Sequence, residues 1–222
     1  MGLRTHDGPV VDGKPTTVSI FSMVQLSGSS YLPSLFHLIN VAFDGIHLRR
    51  LPPMEGGYPP RLDSPEEILS QLRDDPQTFM FILSFADKPE EILATASCRP
   101  YLAREGDGES PWARRLGPEE QCVEWEYKLL AVDPKYQGNG LAVYLTKLTE
   151  EEAVRRSKAA LANAEKTHGG TDARRVRMVL VGLKETTNDF YLRQGYKNDY
   201  EIPGVAGWPV TVVSMSKVIA EL

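Results

Sequence analysis

"DPKYQGNGLA", residues 133–142, is the stretch whose reading decides the fold. Gly138, Asn139 and Gly140 stand together just before a run with helical spacing, Leu141, Leu145 and Leu148. Upstream, "QCVEWEYKLLAVDP" (121–134) alternates as a strand does. Val123, Trp125, Tyr127 and Leu129 fall on one face, and Glu124, Glu126, Lys128 and Leu130 on the other. A strand, a glycine-rich turn and a helix in that order can form a site for an anion, or can be no more than a strand-to-helix turn. The first backbone N–H groups of a helix have no internal partner, and the helix dipole adds positive charge there. Glycine lets a phosphate approach the backbone with no Cβ in the way. Two familiar versions fail. A P-loop requires Lys-Ser or Lys-Thr after its last glycine, and Leu141-Ala142 follow Gly140; a G-x-G-x-x-G fingerprint fails at Val143.

Outward from this unit the chain reads as follows. Residues 1–16, with Gly8, Pro9, Gly13 and Pro15, form a loose leader, and 17–222 form one domain. "VSIFSMV" (18–24) is a strand, and "YLPSLFHLINVAF" (31–43) a helix with Pro33 in its first turn. Residues 44–63 are dense in Pro and Gly and read as a long loop. Ser64-Pro65-Glu66-Glu67 opens a helix to about Arg73, with Ser64 as cap and Glu67 completing a capping box. Residues 78–86 and 91–102 pair as a hairpin through Asp87-Lys88-Pro89, and 103–120 form a loop. A long helix then runs from about Gly140 to Lys166, followed by a strand at 176–183. A short helix at 187–196 ends at Gly195, and two strands near 196–201 and 210–217 flank "PGVAGWP". The order β-α-α-β-β-β-α-β-α-β-β makes this an α/β fold built on one mixed sheet.

Composition narrows the function classes. The 222 residues are 41% hydrophobic and 25% charged, with a formal net charge of −5. That balance argues against a nucleic-acid surface. Two cysteines, Cys98 and Cys122, and four histidines show no zinc spacing, so no metal is expected. Both cysteines fall inside strands and read as buried thiols, a disulfide between them being possible but unforced. No apolar run approaches the roughly 18 residues of a membrane span, and no signal pattern opens the chain. The expectation is a cytoplasmic protein with no membrane or nucleic-acid partner. The sequence carries no signal for oligomeric state.

Gln137-Gly138-Asn139-Gly140-Leu141-Ala142 resembles the acetyl-CoA motif Q/R-x-x-G-x-G/A of the GNAT superfamily of N-acetyltransferases. "FYLRQGY" (190–196) is similar to the family's second motif, a Tyr followed four residues later by Gly and an aromatic. The element order matches from Val18 to Lys217. The resemblance implies a GNAT-like acyl-CoA N-acyltransferase fold, with a mixed, mostly antiparallel sheet flanked by helices. It implies an acetyl-CoA-dependent N-acetyltransferase acting on an amine of a small molecule or peptide. The amides of Gly138, Asn139, Gly140, Leu141, Ala142 and Val143 would hold the pyrophosphate, with Gln137 helping to close the loop. Backbone groups of Leu130, Ala131 and Val132 would pair with the pantetheine arm, the amide near Val132 polarising the thioester carbonyl.

By the same resemblance Glu126 would be the general base, as in some family members, with Glu124 two residues earlier on the same face, or water alone, as the alternatives. Tyr191 is the general acid beside the CoA sulfur, and Asn188 contacts the pantetheine arm. The chain departs from the commoner pattern at Lys184, where an Asn is usual. The alternative is a non-catalytic acyl-CoA-binding module. The acceptor pocket would be shaped by about 43–63 and 202–210, where His47, Arg49, Arg50, Glu55 and Tyr58 stand. Trp125 and His37 read as structural, and the charged run 150–158 as a solvated helix face.

Overall fold

The computed structural model describes residues 4–55, 57–73, 75–101, 122–168, 175–204 and 209–222. The expected loop at 103–120 therefore lies outside the described residues, as do most of the break before the strand at 176 and the centre of "PGVAGWP". The elements are β1 (Arg4–Asp7), β2 (Thr16–Ser22), α1 (Met23–Ser27), α2 (Leu32–Arg50), α3 (Glu66–Leu72), β3 (Phe79–Phe85), β4 (Lys88–Pro100), β5 (Cys122–Val132), α4 (Leu141–His168), β6 (Arg175–Leu183), α5 (Asn188–Arg193), β7 (Lys197–Pro203) and β8 (Thr211–Glu221). A 3₁₀ turn, Pro134–Tyr136, follows β5. The eight strands form one sheet in the order β1-β2-β3-β4-β5-β6-β8-β7. β5 and β6 are parallel, whereas β1–β2, β2–β3, β3–β4, β6–β8 and β7–β8 are antiparallel. The mixed, mostly antiparallel sheet flanked by helices is thus the architecture the chain adopts. Contacts divide the chain into two units, Met1–Arg99 with Tyr127–Thr149, and Pro100–Glu126 with Glu150–Leu222. No described helix is long and apolar enough to cross a membrane.

In the first unit β3 is buried along its whole length, so both its faces are covered. Met80 and Ile82 join a cluster with Leu26, Leu35, Leu38, Ile39 and Leu72 of α1–α3. Phe79 and Phe81 alternate to the other face, their rings 5.6 Å apart. The residues expected as a leader instead begin the sheet: Arg4–Asp7 pair with Thr17–Ile20 of β2. The chain reverses through Val11-Asp12-Gly13-Lys14, where Asp12 (φ 49°) and Gly13 (φ 75°) are left-handed. Val11 and Lys14 exchange backbone hydrogen bonds of 3.0 and 2.9 Å. Two positive φ angles in sequence are the requirement of a type I′ turn, which Asp-Gly meets at little cost.

α2 is longer than its apolar spacing predicts and runs on to Arg50, so the loop begins only at Leu51. His47, Arg49 and Arg50 occupy its last turn, where basic groups favour the negative helix end. The expected capping box at α3 does not form. Pro65 takes the cap position, which leaves Ser64 one residue too early. Glu67 instead accepts the Asp63 amide at 2.7 Å.

β5 departs from strict alternation. Trp125 donates from Nε1 to Ser157 Oγ on α4 (2.8 Å), and the Tyr127 hydroxyl lies 3.3 Å from Thr146 Oγ1 on α4. Leu129 and Ala131 instead belong to the cluster with α1–α3. Alternation would keep all four odd-numbered side chains on one side; Leu129, at φ 49°, lets the strand change sides. A β-region leucine pushed into the left-handed region costs about 1–2 kcal/mol, which its burial in the cluster offsets.

In the second unit Arg177 stands across the parallel ladder from Glu124. Its guanidinium lies 3.7 Å from the Glu124 carboxylate and 3.3 Å from that of Asp199, and donates to Ser216 Oγ at 2.6 Å. Removing the cation leaves the buried Glu124 carboxylate without this ion pair, with the more exposed Asp199 carboxylate on the same side. Arg177→Met is expected to lower stability by about 3 kcal/mol and the melting temperature by roughly 10 °C, read by thermal denaturation. Arg177→Met/Glu124→Leu should recover part of that loss, because the uncompensated charge goes with it.

The 150–158 run is only partly solvated. Glu150 accepts from Lys217 Nζ (2.7 and 2.8 Å) and from the Tyr196 hydroxyl (3.1 Å). Burial pushes the Glu152 carboxyl up, but Arg155 and Arg156 outweigh it and hold the group at about 2.

Candidate active site

The glycine loop belongs to the first unit, and its shape is fixed from several sides. β5 ends at Val132, and the Asp133 amide donates to the Leu93 carbonyl at 2.8 Å. The Asp133 side chain accepts the Lys135 amide at 2.8 Å, and Asn139 Nδ2 donates to the Tyr136 carbonyl at 3.2 Å. Tyr136 is tied to β4 by a 2.8 Å hydrogen bond from its hydroxyl to Glu91. That bond, burial and nearby carboxylates raise the phenol to about 12.

Gly138 (φ 88°) and Gly140 (φ 75°) are both left-handed, and a Cβ built on either meets no atom within 4 Å. Glycine stands here for backbone conformation and for open space beside it, not for tight packing. Tyr144 donates the bond to the Gly140 carbonyl (3.0 Å), so the amides of Leu141, Ala142 and Val143 precede the helical ladder. These amides stand at the positive end of the 28-residue helix α4. Gln137 turns back on β5, donating from Nε2 to the Val132 carbonyl at 3.2 Å.

Glu126, Asn188 and Tyr191 lie in the second unit. The ladder between β5 and β6 runs from Cys122↔Arg175 to Glu126↔Val179 and ends there, so Glu126 is the last β5 residue it holds. Glu126 is buried. Glu124, also buried, faces Arg177.

Asn188 is the first residue of α5; Thr187, not Asn188, holds the cap position. It is 6% exposed, and its Oδ1 is buried with no hydrogen-bond partner among the described residues. Tyr191 packs between Phe190 and Tyr196, at ring distances of 5.0 and 5.4 Å. Burial pushes its phenol pKa up, so it keeps its proton well above neutral pH. Gly195 (φ 87°) terminates the helix as expected. Lys184 pairs with Glu201 at 2.6 Å.

The sequence profile of the Acetyltransferase (GNAT) family matches residues 43–176, more than half of the chain and including the glycine loop. The chain belongs to the GNAT acetyltransferase family. It is an acyltransferase, with acetyl-CoA as the acyl donor that this family uses. No curated protein sequence matches the chain. Among solved structures, GNAT relatives share its fold. An aminoglycoside 6′-acetyltransferase type Ii is 16% identical, with a TM-score of 0.55 over 91% of this chain and 97% of its own. An aminoglycoside 6′-N-acetyltransferase complexed with coenzyme A is 14% identical, with a TM-score of 0.54 over 90% and 97%. The ribosomal-protein-S18-alanine N-acetyltransferase from Escherichia coli is 15% identical, with a TM-score of 0.50 over 91% and 94%. Asn188 and Tyr191 fall beyond the span of the GNAT profile, on α5.

Of the pocket residues expected in 43–63, His47 is buried within α2, its ring 6.2 Å from Phe43 and 5.3 Å from Tyr58. Burial lowers its pKa, Asp44 pulls the other way, and Arg61 lowers it further. Arg49 was foreseen only as pocket lining. It reaches the glycine loop itself, where Nη2 donates to Gln137 Oε1 at 2.8 Å. Those residues are 88 apart in sequence, and no local pattern pairs them. Among the described residues no cluster of His, Cys, Asp or Glu is placed to hold a metal ion.

Proposed function

We propose that this acetyltransferase transfers the acetyl group to an amine of a small molecule or peptide by direct attack, with Glu126 as general base and Tyr191 as general acid. The observation that carries the reading is the pair of left-handed glycines opening α4, at each of which a Cβ would meet no atom within 4 Å. The named structural neighbours are N-acetyltransferases of aminoglycosides and of a ribosomal-protein alanine, which agrees with an amine acceptor.

Bound acetyl-CoA supplies an activated thioester. The chain's own residues do the rest. Amides of Gly138 to Val143 bind the pyrophosphate, and Gln137 holds the loop against β5. Backbone groups of Leu130, Ala131 and Val132, beyond the end of the β5–β6 ladder, are available to the pantetheine arm, and Asn188 Oδ1 accepts one of its amide N–H groups. The amide near Val132 stabilises the developing oxyanion. An alkyl amine is protonated at neutral pH and must lose that proton before it attacks. Glu126 takes it, directly or through water; the pairing of Glu124 with Arg177 favours Glu126 over Glu124 for the role. Tyr191, protonated because it is buried, supplies the proton for the departing thiolate.

The test is thiol release from acetyl-CoA against a panel of amines, wild type beside Glu126→Gln. Glu126→Gln is expected to lower kcat on the order of 10²-fold while leaving the KM for acetyl-CoA unchanged. The deficit should narrow as pH rises towards the amine's own pKa, where the substrate sheds its proton unaided. No release with any amine, in a protein that still binds acetyl-CoA, would favour the acyl-CoA-binding module instead.

A further inference from the structure

We infer that Arg49, on the last turn of α2, binds the pyrophosphate of the acyl donor together with the glycine loop, so that one charge of the donor site comes from a separate element. This rests on reading the loop as the acetyl-CoA site. The Arg49 guanidinium is held at two points: Nε donates to the Gly45 carbonyl at 2.7 Å, and Nη2 donates to Gln137 Oε1 at 2.8 Å. A guanidinium has five N–H donors. Two are used, and Arg49 pairs with no carboxylate among the described residues. Three donors and a full positive charge therefore remain beside the first residue of the motif.

Several features set this arginine apart from an ordinary surface cation. Gly45 lies beside both partners: a Cβ there would sit at ordinary contact distance, 3.8 Å from the Pro134 ring and 4.0 Å from Arg49 Nη2. α2 thus comes against the turn that leads into the loop. Gln137 is fixed from the other side by its bond to Val132, so the pair Arg49–Gln137 joins the end of α2 to the end of β5. A cation anchored in this way loses little side-chain freedom when an anion arrives. The protein's net charge of −5 makes an uncompensated arginine at an anion site the more useful, since the background field opposes the ligand. The bonded partner, Gln137, opens the loop that wraps the pyrophosphate, and this selects that group over the more distant 3′-phosphate of the donor.

A mere brace for the loop would give the same hydrogen bonds, so the experiment separates the two. Affinities of wild type, Arg49→Gln and Arg49→Lys are measured by titration calorimetry for acetyl-CoA and 3′-dephospho-acetyl-CoA. Acetyl-pantetheine, which lacks the pyrophosphate, is measured by displacement. Arg49→Gln is expected to weaken both nucleotide donors about tenfold and to leave acetyl-pantetheine unchanged. Arg49→Lys should retain part of the affinity, and the salt sensitivity of binding should fall in Arg49→Gln. Equal weakening of all three ligands would reduce Arg49 to a brace and overturn the inference. So would no weakening at all, or weakening of acetyl-CoA alone, which would move the contact to the 3′-phosphate. A wild-type protein that binds no acetyl-CoA would sink the reading of the loop itself, a result distinct from any of these.

Discussion

Gly140→Trp removes the thermal response to acetyl-CoA while the protein remains folded. In wild type, a donor present at about 100 times its Kd stabilises the native state by about 2.7 kcal/mol, which raises the melting temperature by roughly 5–10 °C. The shift grows with ligand concentration. In the variant two effects combine. A side chain at φ 75° costs about 1–2 kcal/mol of backbone strain, and the indole fills the space through which a phosphate reaches the loop amides. A Cβ at this position touches nothing within 4 Å, so the bulk itself does not collide with the core. The melting temperature without ligand should fall by only a few degrees, and the affinity for acetyl-CoA by at least about 10³-fold. Gly140→Ala, with the strain but not the bulk, should lie between. A Gly140→Trp protein that still shifts with acetyl-CoA as wild type does would show that the loop is not the phosphate site.

Tyr191→Phe should be the most damaging conservative change to the chemistry. The ring packs against Phe190 and Tyr196, and phenylalanine preserves those contacts. What is lost is a proton. Because burial raises the phenol's pKa, the wild-type side chain remains a donor from acid to well above neutral pH. No tyrosinate forms in the range in which the enzyme is assayed. The expected result is a fall in kcat on the order of 10³-fold, flat from about pH 6 to 9, with the Kd for acetyl-CoA within twofold of wild type. A fall of less than about threefold would remove Tyr191 from proton transfer and leave it a packing residue. A parallel loss of donor affinity would mean that the hydroxyl serves binding instead.

Much of this was legible before any coordinates, for reasons that lie in particular residues. β3 and β4 announce themselves by apolar runs on either side of a short polar turn, and α5 by Gly195, whose left-handed conformation ends it. The glycine loop was legible because a turn with left-handed residues at a helix start needs glycines in one place in sequence. What was missed has other causes. The Asp12-Gly13 signal of a tight hairpin was present, but the strand it serves is only four exposed residues long and has no apolar face to betray it. α2 runs beyond its apolar stripe because basic residues suit its end, which periodicity does not count. Ser64 resembled a cap, but Pro65 adopts helical angles a residue before the capping-box spacing allows. The contact of Arg49 with Gln137 and the turn in β5 at Leu129 are tertiary facts, and neither residue differs locally from its neighbours.

Leu129 has a consequence for how this chain can vary. On its N-terminal side β5 offers odd-numbered side chains to α4, and on its C-terminal side it offers them to α1–α3. The register of both halves is therefore tied to a single peptide. Losing one residue ahead of that peptide would slide Trp125 and Tyr127 out of step with their partners while Leu129 and Ala131 kept theirs; losing one after it would do the reverse. Neither error can be absorbed by the other half. Exchange of side chains along β5 is open to drift, but its eleven-residue length is not. Insertions and deletions in descendants of this protein should stop abruptly at Cys122 and resume only past the loop.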